Sequence, residues 1–146
     1  MGLKNLIGPG PNFVPAYQLS GVPYVTSSAT DEVTTTAVRV TFPYVSRWIE
    51  VRNTGKGDLR IGFSQNGVTG KGASVSGSSD ESTANHSNYF VIPAVSGSTS
   101  RWEARCTELW FASSATTDFS LVAGLTGVTP RQYPVLTGSN GFIGIG

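Results

Sequence analysis

Short runs of alternating apolar and polar residues, each cut off by Gly, Pro or Asn within about ten residues, limit what this chain can fold into. Thr34, Thr36, Val38, Val40 and Phe42 alternate with Thr35, Ala37, Arg39 and Thr41 as far as Pro43, the period of a half-buried strand. In residues 45–53, Val45, Ile49 and Val51 share one face while Trp48, Glu50 and Arg52 share the other. The turn run Asn53-Thr-Gly-Lys-Gly-Asp58 follows, and Leu59, Ile61 and Phe63 resume the pattern, which reads as a β-hairpin. Weaker strand patterns cover residues 17–25, 88–92, 100–105, 106–112 and 118–125, and hardly any segment has helical periodicity. Many short strands between Gly/Pro turns argue for an all-β sandwich or barrel, and about eight antiparallel strands suit a single jelly roll.

The flanks of this strand region are almost free of charge. Residues 1–30 carry only Lys4, and residues 119–146 only Arg131. They are nonetheless apolar: Leu6, Ile7, Phe13, Val14, Tyr17, Val22 and Tyr24 at one end, Tyr133, Val135, Leu136, Phe142, Ile143 and Ile145 at the other. Disordered segments combine low hydrophobicity with net charge, and these have neither. Burying five large apolar side chains of the C-terminal stretch contributes on the order of 10 kcal/mol, whereas ordering fifteen backbone residues from Gln132 costs roughly 15–30 kcal/mol. Such arms become ordered only where backbone hydrogen bonds join the apolar contacts, at a sheet edge or a subunit boundary. The reading is one domain spanning 1–146, with an N-terminal arm at 1–16, a long Ser/Gly loop at 65–87 and a C-terminal arm at 130–146.

A chain of 146 residues can bury a core without disulfide or metal staples. Charged residues make up 13% against about 25% in ordinary soluble domains, while Ser and Thr number 34, so the surface is largely hydroxyl, amide and glycine. A net charge of +1 gives no electrostatic footprint for nucleic acid or an anionic membrane. The single Cys106 excludes an intrachain disulfide, which is compatible with a reducing assembly compartment. The start lacks the apolar core of a signal peptide and no stretch approaches a membrane span. Gly2 is a poor myristoylation site, because Leu6 stands where Ser or Thr is expected.

Chemistry-bearing patterns are few. His86 is the only histidine, so a chelating pair is impossible, and it reads as an exposed polar residue. Cys106 reads as a buried structural thiol, with no base within sequence reach. Gly67-Val-Thr-Gly-Lys-Gly72 departs from a phosphate loop, with Gln65 in place of the first Gly and Gly72 in place of the hydroxyl residue. The doublets Asp31-Glu32 and Asp80-Glu81 lack the spacing of a calcium loop. Neither catalytic residues nor a cofactor or metal are expected. Asn85-His86-Ser87 fits a glycosylation acceptor, a triplet that also arises by chance. Trp48, Trp102, Trp110, Phe111 and Tyr89 could stack on sugars or bases, but core packing in strands accounts for most of them.

The run Ser100-Arg-Trp-Glu-Ala-Arg-Cys-Thr-Glu-Leu-Trp-Phe111, then Phe119-Ser-Leu-Val-Ala-Gly-Leu125 and Tyr133-Pro-Val-Leu-Thr-Gly-Ser-Asn-Gly-Phe-Ile-Gly-Ile-Gly146, together with Trp48-Ile-Glu-Val-Arg-Asn53 and Leu59-Arg-Ile-Gly-Phe63, resembles the small single-jelly-roll penton proteins of large icosahedral double-stranded DNA viruses. The resemblance spans residues 12–146 and rests on strand and turn patterns. It implies a virion protein assembled in the host cell interior. Its jelly rolls would form a homopentamer at fivefold vertices, in contact with major and minor capsid proteins. The long Ser/Gly loop has no counterpart in that pattern.

The residues themselves agree in kind, since arms can extend across subunit boundaries. Phe13, Tyr133, Phe142, Ile143, Arg47 and Arg52 are the expected subunit-interface residues. Arg outnumbers Lys seven to three, and Arg39, Arg60, Arg101 and Arg105 are also available for interfacial bridges. A capsid decoration or cement protein would share these features. A carbohydrate-binding β-sandwich would instead need an exposed aromatic platform.

Overall fold

The computed structural model describes residues 11, 21–69, 88–94, 97, 99, 101–137, 140–142, 144 and 145. Phe13, Asn85, His86 and Ile143, and with them most of the 1–16 arm and of the 65–87 segment, lie outside the described residues. The elements in chain order are β1 (Val22–Ser27), β2 (Val38–Thr41), β3 (Ser46–Asn53), β4 (Leu59–Gly62), a helix α1 (Gln65–Val68), β5 (Phe90–Ile92), β6 (Glu108–Ala112), β7 (Phe119–Leu125) and a 3-10 turn at Pro130–Gln132. The strands form two antiparallel sheets, three-stranded β1-β7-β3 and four-stranded β2-β6-β4-β5, in an all-β sandwich. No helix among the described residues is long and apolar enough to cross a membrane.

Alternation explains the layering. In β3, Ile49 and Val51 are buried while Glu50 and Arg52 turn outward; in β7, Phe119, Leu121 and Ala123 point inward. These residues meet Leu59, Ile61, Ile92, Leu109 and Phe111 of the other sheet in one core. Phe111 and Phe119 stack across it with centroids 4.1 Å apart, and Tyr24 meets Phe42 edge-on at 5.2 Å. A bulge between Ser46 and Trp48 resets the phase of β3, so that Val45 and Ser46 are both buried although adjacent.

The hairpin expected between residues 45–53 and 59–63 does not form. β3 and β4 belong to different sheets, and the turn between them crosses the sandwich. Asn53 causes this. Its side chain is buried and its Nδ2 reaches the carbonyls of Gly57 (2.8 Å), Ile92 (3.0 Å) and Pro93 (3.0 Å). Its Oδ1 accepts from Gly55 N (3.0 Å) and Thr117 Oγ1 (2.8 Å). A substituted Gly55 would drive its Cβ into Thr117 and Asp118, so the glycine is there for close approach to the β7 entry and not for a two-strand hairpin turn.

Other expectations shift in smaller ways. The run from Thr34 narrows to β2, because Val33 instead forms an isolated bridge to Thr117. The 65–87 loop opens with the single turn α1, capped by Ser64, whose Oγ accepts from Gly67 N at 3.0 Å. Of the strand expected at 100–105, the described residues 101–105 form only a bridge, in which Trp102 meets Ile49 through a reciprocal backbone pair of 2.8 and 2.9 Å. Thr99 continues that contact. Its N–H donates to Val51 O at 2.8 Å, and its hydroxyl satisfies the Val51 N–H at 2.8 Å. Gly97, Thr99 and Trp102 thus line the outer edge of β3.

The C-terminal arm lies on its own domain. Leu136 packs against the core, Tyr133 Oη donates to Arg105 O at 2.8 Å, and Ser64 Oγ donates to Ile145 O at 2.7 Å.

Candidate interaction surface

Cys106 and Ser46 illustrate how the buried polar groups are used. The Ser46 hydroxyl donates to Ala104 O at 2.6 Å and accepts from Cys106 N at 3.0 Å. The Ser46 Oγ also lies 3.3 Å from the Cys106 Sγ. Burial pushes the thiol up from 9.0 to about 11; the Ser46 hydrogen bond opposes the rise and the Glu108 charge adds to it. A thiol so held is neutral at physiological pH and fully buried, the structural part expected of it. Among the described residues no group of three or more His, Cys, Asp or Glu could hold a metal ion.

The surfaces carry more information. On the outer face of the three-stranded sheet, Val25 lies opposite Val122 on β7, and Val122 opposite Glu50 on β3. Arg52 and Ser120 form the next row. Together with Thr54 they border a shallow groove of about 230 Å³. Val25 is 74% exposed. Further along, an added methyl at Gly124 would overlap the indole of Trp48, so the glycine lets that ring lie flat on the sheet. The Arg101 guanidinium covers the ring at 4.7 Å and pairs with Glu103 at 2.9 Å.

The four-stranded sheet presents a second patch. Val91 on β5 faces Arg60 on β4 across the ladder, and Arg60 stacks over Tyr89 at 4.7 Å. Arg39 lies over Trp110 at 5.6 Å and pairs with Glu108 at 3.8 Å. At the same edge, Phe63, Tyr89, Phe90 and Trp102 line a cleft of about 360 Å³ with Ile61, Asn88 and Gly144. Phe90 meets Trp102 edge-on at 5.3 Å and is still 56% exposed. The Nδ2 of Asn88 is buried there without a hydrogen-bond partner among the described residues.

The expected interface residues therefore separate. Arg52 is exposed beside Val25. Arg47 is half-buried within the β3 bulge. Tyr133 and Phe142 are half-buried on the C-terminal arm, the first engaged with Arg105 and the second donating its N–H to Thr137 O at 3.2 Å. The sequence reasoning missed Val25, Phe90 and Val91, all three of which fall in segments marked as strands. The alternation that marks a strand does not say which strand lies at an edge. No protein-family model matches the chain, and comparison with curated proteins and with solved structures finds no match.

Proposed function

We propose that this chain is a structural protein of an icosahedral virus capsid, a single jelly roll that forms a pentamer at fivefold vertices beside the major capsid protein. One observation carries the reading. With the segment marked by Gly97, Thr99 and Trp102 counted as a strand beside β3, the sheet orders become β1-β7-β3-segment and β2-β6-β4-β5. Numbered along the chain, with that segment as strand 6, these are 1-8-3-6 against 2-7-4-5, in which 1 and 2, 3 and 4, 5 and 6, and 7 and 8 each sit in opposite sheets. That is the arrangement expected of a jelly roll. The apolar, weakly charged surface and the edge-strand valines supply the close neutral contact that a shell needs.

The test is the mass and symmetry of the purified chain. Native mass spectrometry and electron microscopy should find closed rings of five 15.3 kDa chains, and the same chain should sit at the vertices of an assembled particle. A stable isologous dimer in solution and in the particle would overturn the reading. A cement protein would be found on the shell surface away from the fivefold axes.

A second reading, a carbohydrate-binding sandwich, has the aromatic cleft of Phe63, Tyr89, Phe90 and Trp102 in its favour. Quenching or shift of tryptophan fluorescence by neutral oligosaccharides, lost in Phe90→Ala, is its test.

A further inference from the structure

The exposed apolar residues are not scattered. Of the six large ones among the described residues, Val22 and Val25 lie on β1 and Phe90 and Val91 on β5. β1 ends the three-stranded sheet and β5 ends the four-stranded sheet. Each patch is flanked by two charges of opposite sign, two residues apart. Beside Val25 these are Glu50 and Arg52; beside Val91 they are Asp58 and Arg60. None of the four has an ion-pair partner among the described residues. The order is the same in both patches, negative then positive along the chain, so an antiparallel approach sets Glu50 against Arg60 and Arg52 against Asp58.

From this we infer that the Val25 face of one copy docks on the β5 edge of the next, head to tail. Val25 and Val122 meet Val91, which shares its face with Arg60, while the two charge pairs close around them. The occupant of each patch is a second copy of this chain, because a copy carries both the complementary charge order and the matching apolar edge. The contact is heterologous, so it builds a ring or an open filament. Direct strand-to-strand pairing along β1 is restrained. Ser28 N donates to Phe119 O, and the alternation of an antiparallel ladder then points the ring nitrogen of Pro23 to the free edge, where no donor exists. Side chains, and not an extended sheet, make the joint. The inference rests on the pentamer reading and names the surfaces of that ring.

Charge reversal is the first test. Glu50→Arg and Arg60→Glu should each weaken assembly on the order of 100-fold, as a like-charge contact costs several kcal/mol, and the double variant should recover most of the loss. The second test uses Val25→Asp and Val91→Asp. Each alone should be monomeric, since each lacks one of the two surfaces. Mixed, they should form a heterodimer and nothing larger, which also shows both to be folded. Sedimentation velocity reads both tests. Wild-type rings that are indifferent to all four substitutions overturn this contact and leave the pentamer reading standing. Assembly lost in Val25→Asp but unchanged in Val91→Asp overturns it in favour of an isologous β1 contact. A wild type that is monomeric both in concentrated solution and in the particle overturns the contact and the pentamer together.

Discussion

Thr117 donates its hydroxyl to the Asn53 carboxamide oxygen at 2.8 Å, a bond between residues 64 apart in sequence that ties the end of β3 to the entry of β7. The same carboxamide nitrogen reaches the end of β5 through Ile92 O and Pro93 O. One side chain therefore fixes where three strands end, on both sheets.

Asn53→Ala strands the Gly55 N–H and leaves the carbonyls of Gly57 and Ile92 without that donor. At about 1–3 kcal/mol for each buried group left unpaired, the unfolding free energy should fall by at least about 3 kcal/mol. Thr117→Val removes a single donor, and the loss should be about 1 kcal/mol. Urea denaturation of the two variants measures the difference.

The Asn53 hub also shows where sequence reasoning reaches and where it stops. Inward and outward faces of residues 45–53 follow from period-2 alternation because side-chain direction is a local property of a strand. The hairpin reading failed because Asn-x-Gly is turn chemistry whichever sheet the next strand joins. Only the five partners of Asn53, most of them distant in sequence, decide that β4 crosses over. Arg39, Arg60 and Arg101, available in the sequence for interfacial bridges, each also lie over an aromatic ring of their own chain, pairings that no spacing rule contains. The apolar C-terminal arm was read as wanting a contact, and its contact includes its own core through Leu136.

Cys106 gives stability a dependence on alkaline pH. The unfolded thiol loses its proton near 9.0, whereas the buried one keeps it to about 11. The contribution is complete below pH 9 and is lost as pH rises towards 11, because the unfolded state alone ionises in that window. The slope is about 1.4 kcal/mol per pH unit. The difference in unfolding free energy between wild type and Cys106→Ala, followed from pH 8 to 11, should shrink along that line. A difference independent of pH would mean that the thiol is reached by water.

Gly124 should tolerate no side chain. Gly124→Val places branched carbon where the Trp48 indole lies and should lift the ring off the sheet, at about 1–3 kcal/mol for the overpacking. Arg101 loses its platform with it. Tryptophan emission should move to longer wavelength, and Trp48→Phe should abolish that shift.

The C-terminal arm should come away in two steps of unequal cost. Its last described residues are held by the Ser64 bond to Ile145 O and by local bonds such as Asn140 Nδ2 to Val135 O at 3.0 Å, all near the surface. Deleting residues 140–146 should therefore cost about 1 kcal/mol and leave a cooperatively unfolding domain. Deleting residues 133–146 also removes Leu136 from the core cluster and the Tyr133 bond to Arg105 O. That step adds about 2–3 kcal/mol, most of it apolar surface returned to water. Leu136→Ala in the full chain should reproduce the larger part of the second step and Phe142→Ala little of either. Urea titration of the four proteins separates the terms. Should the 133–146 deletion be no less stable than the wild type, the arm rests on the domain without supporting it, and its apolar residues serve a neighbouring subunit instead.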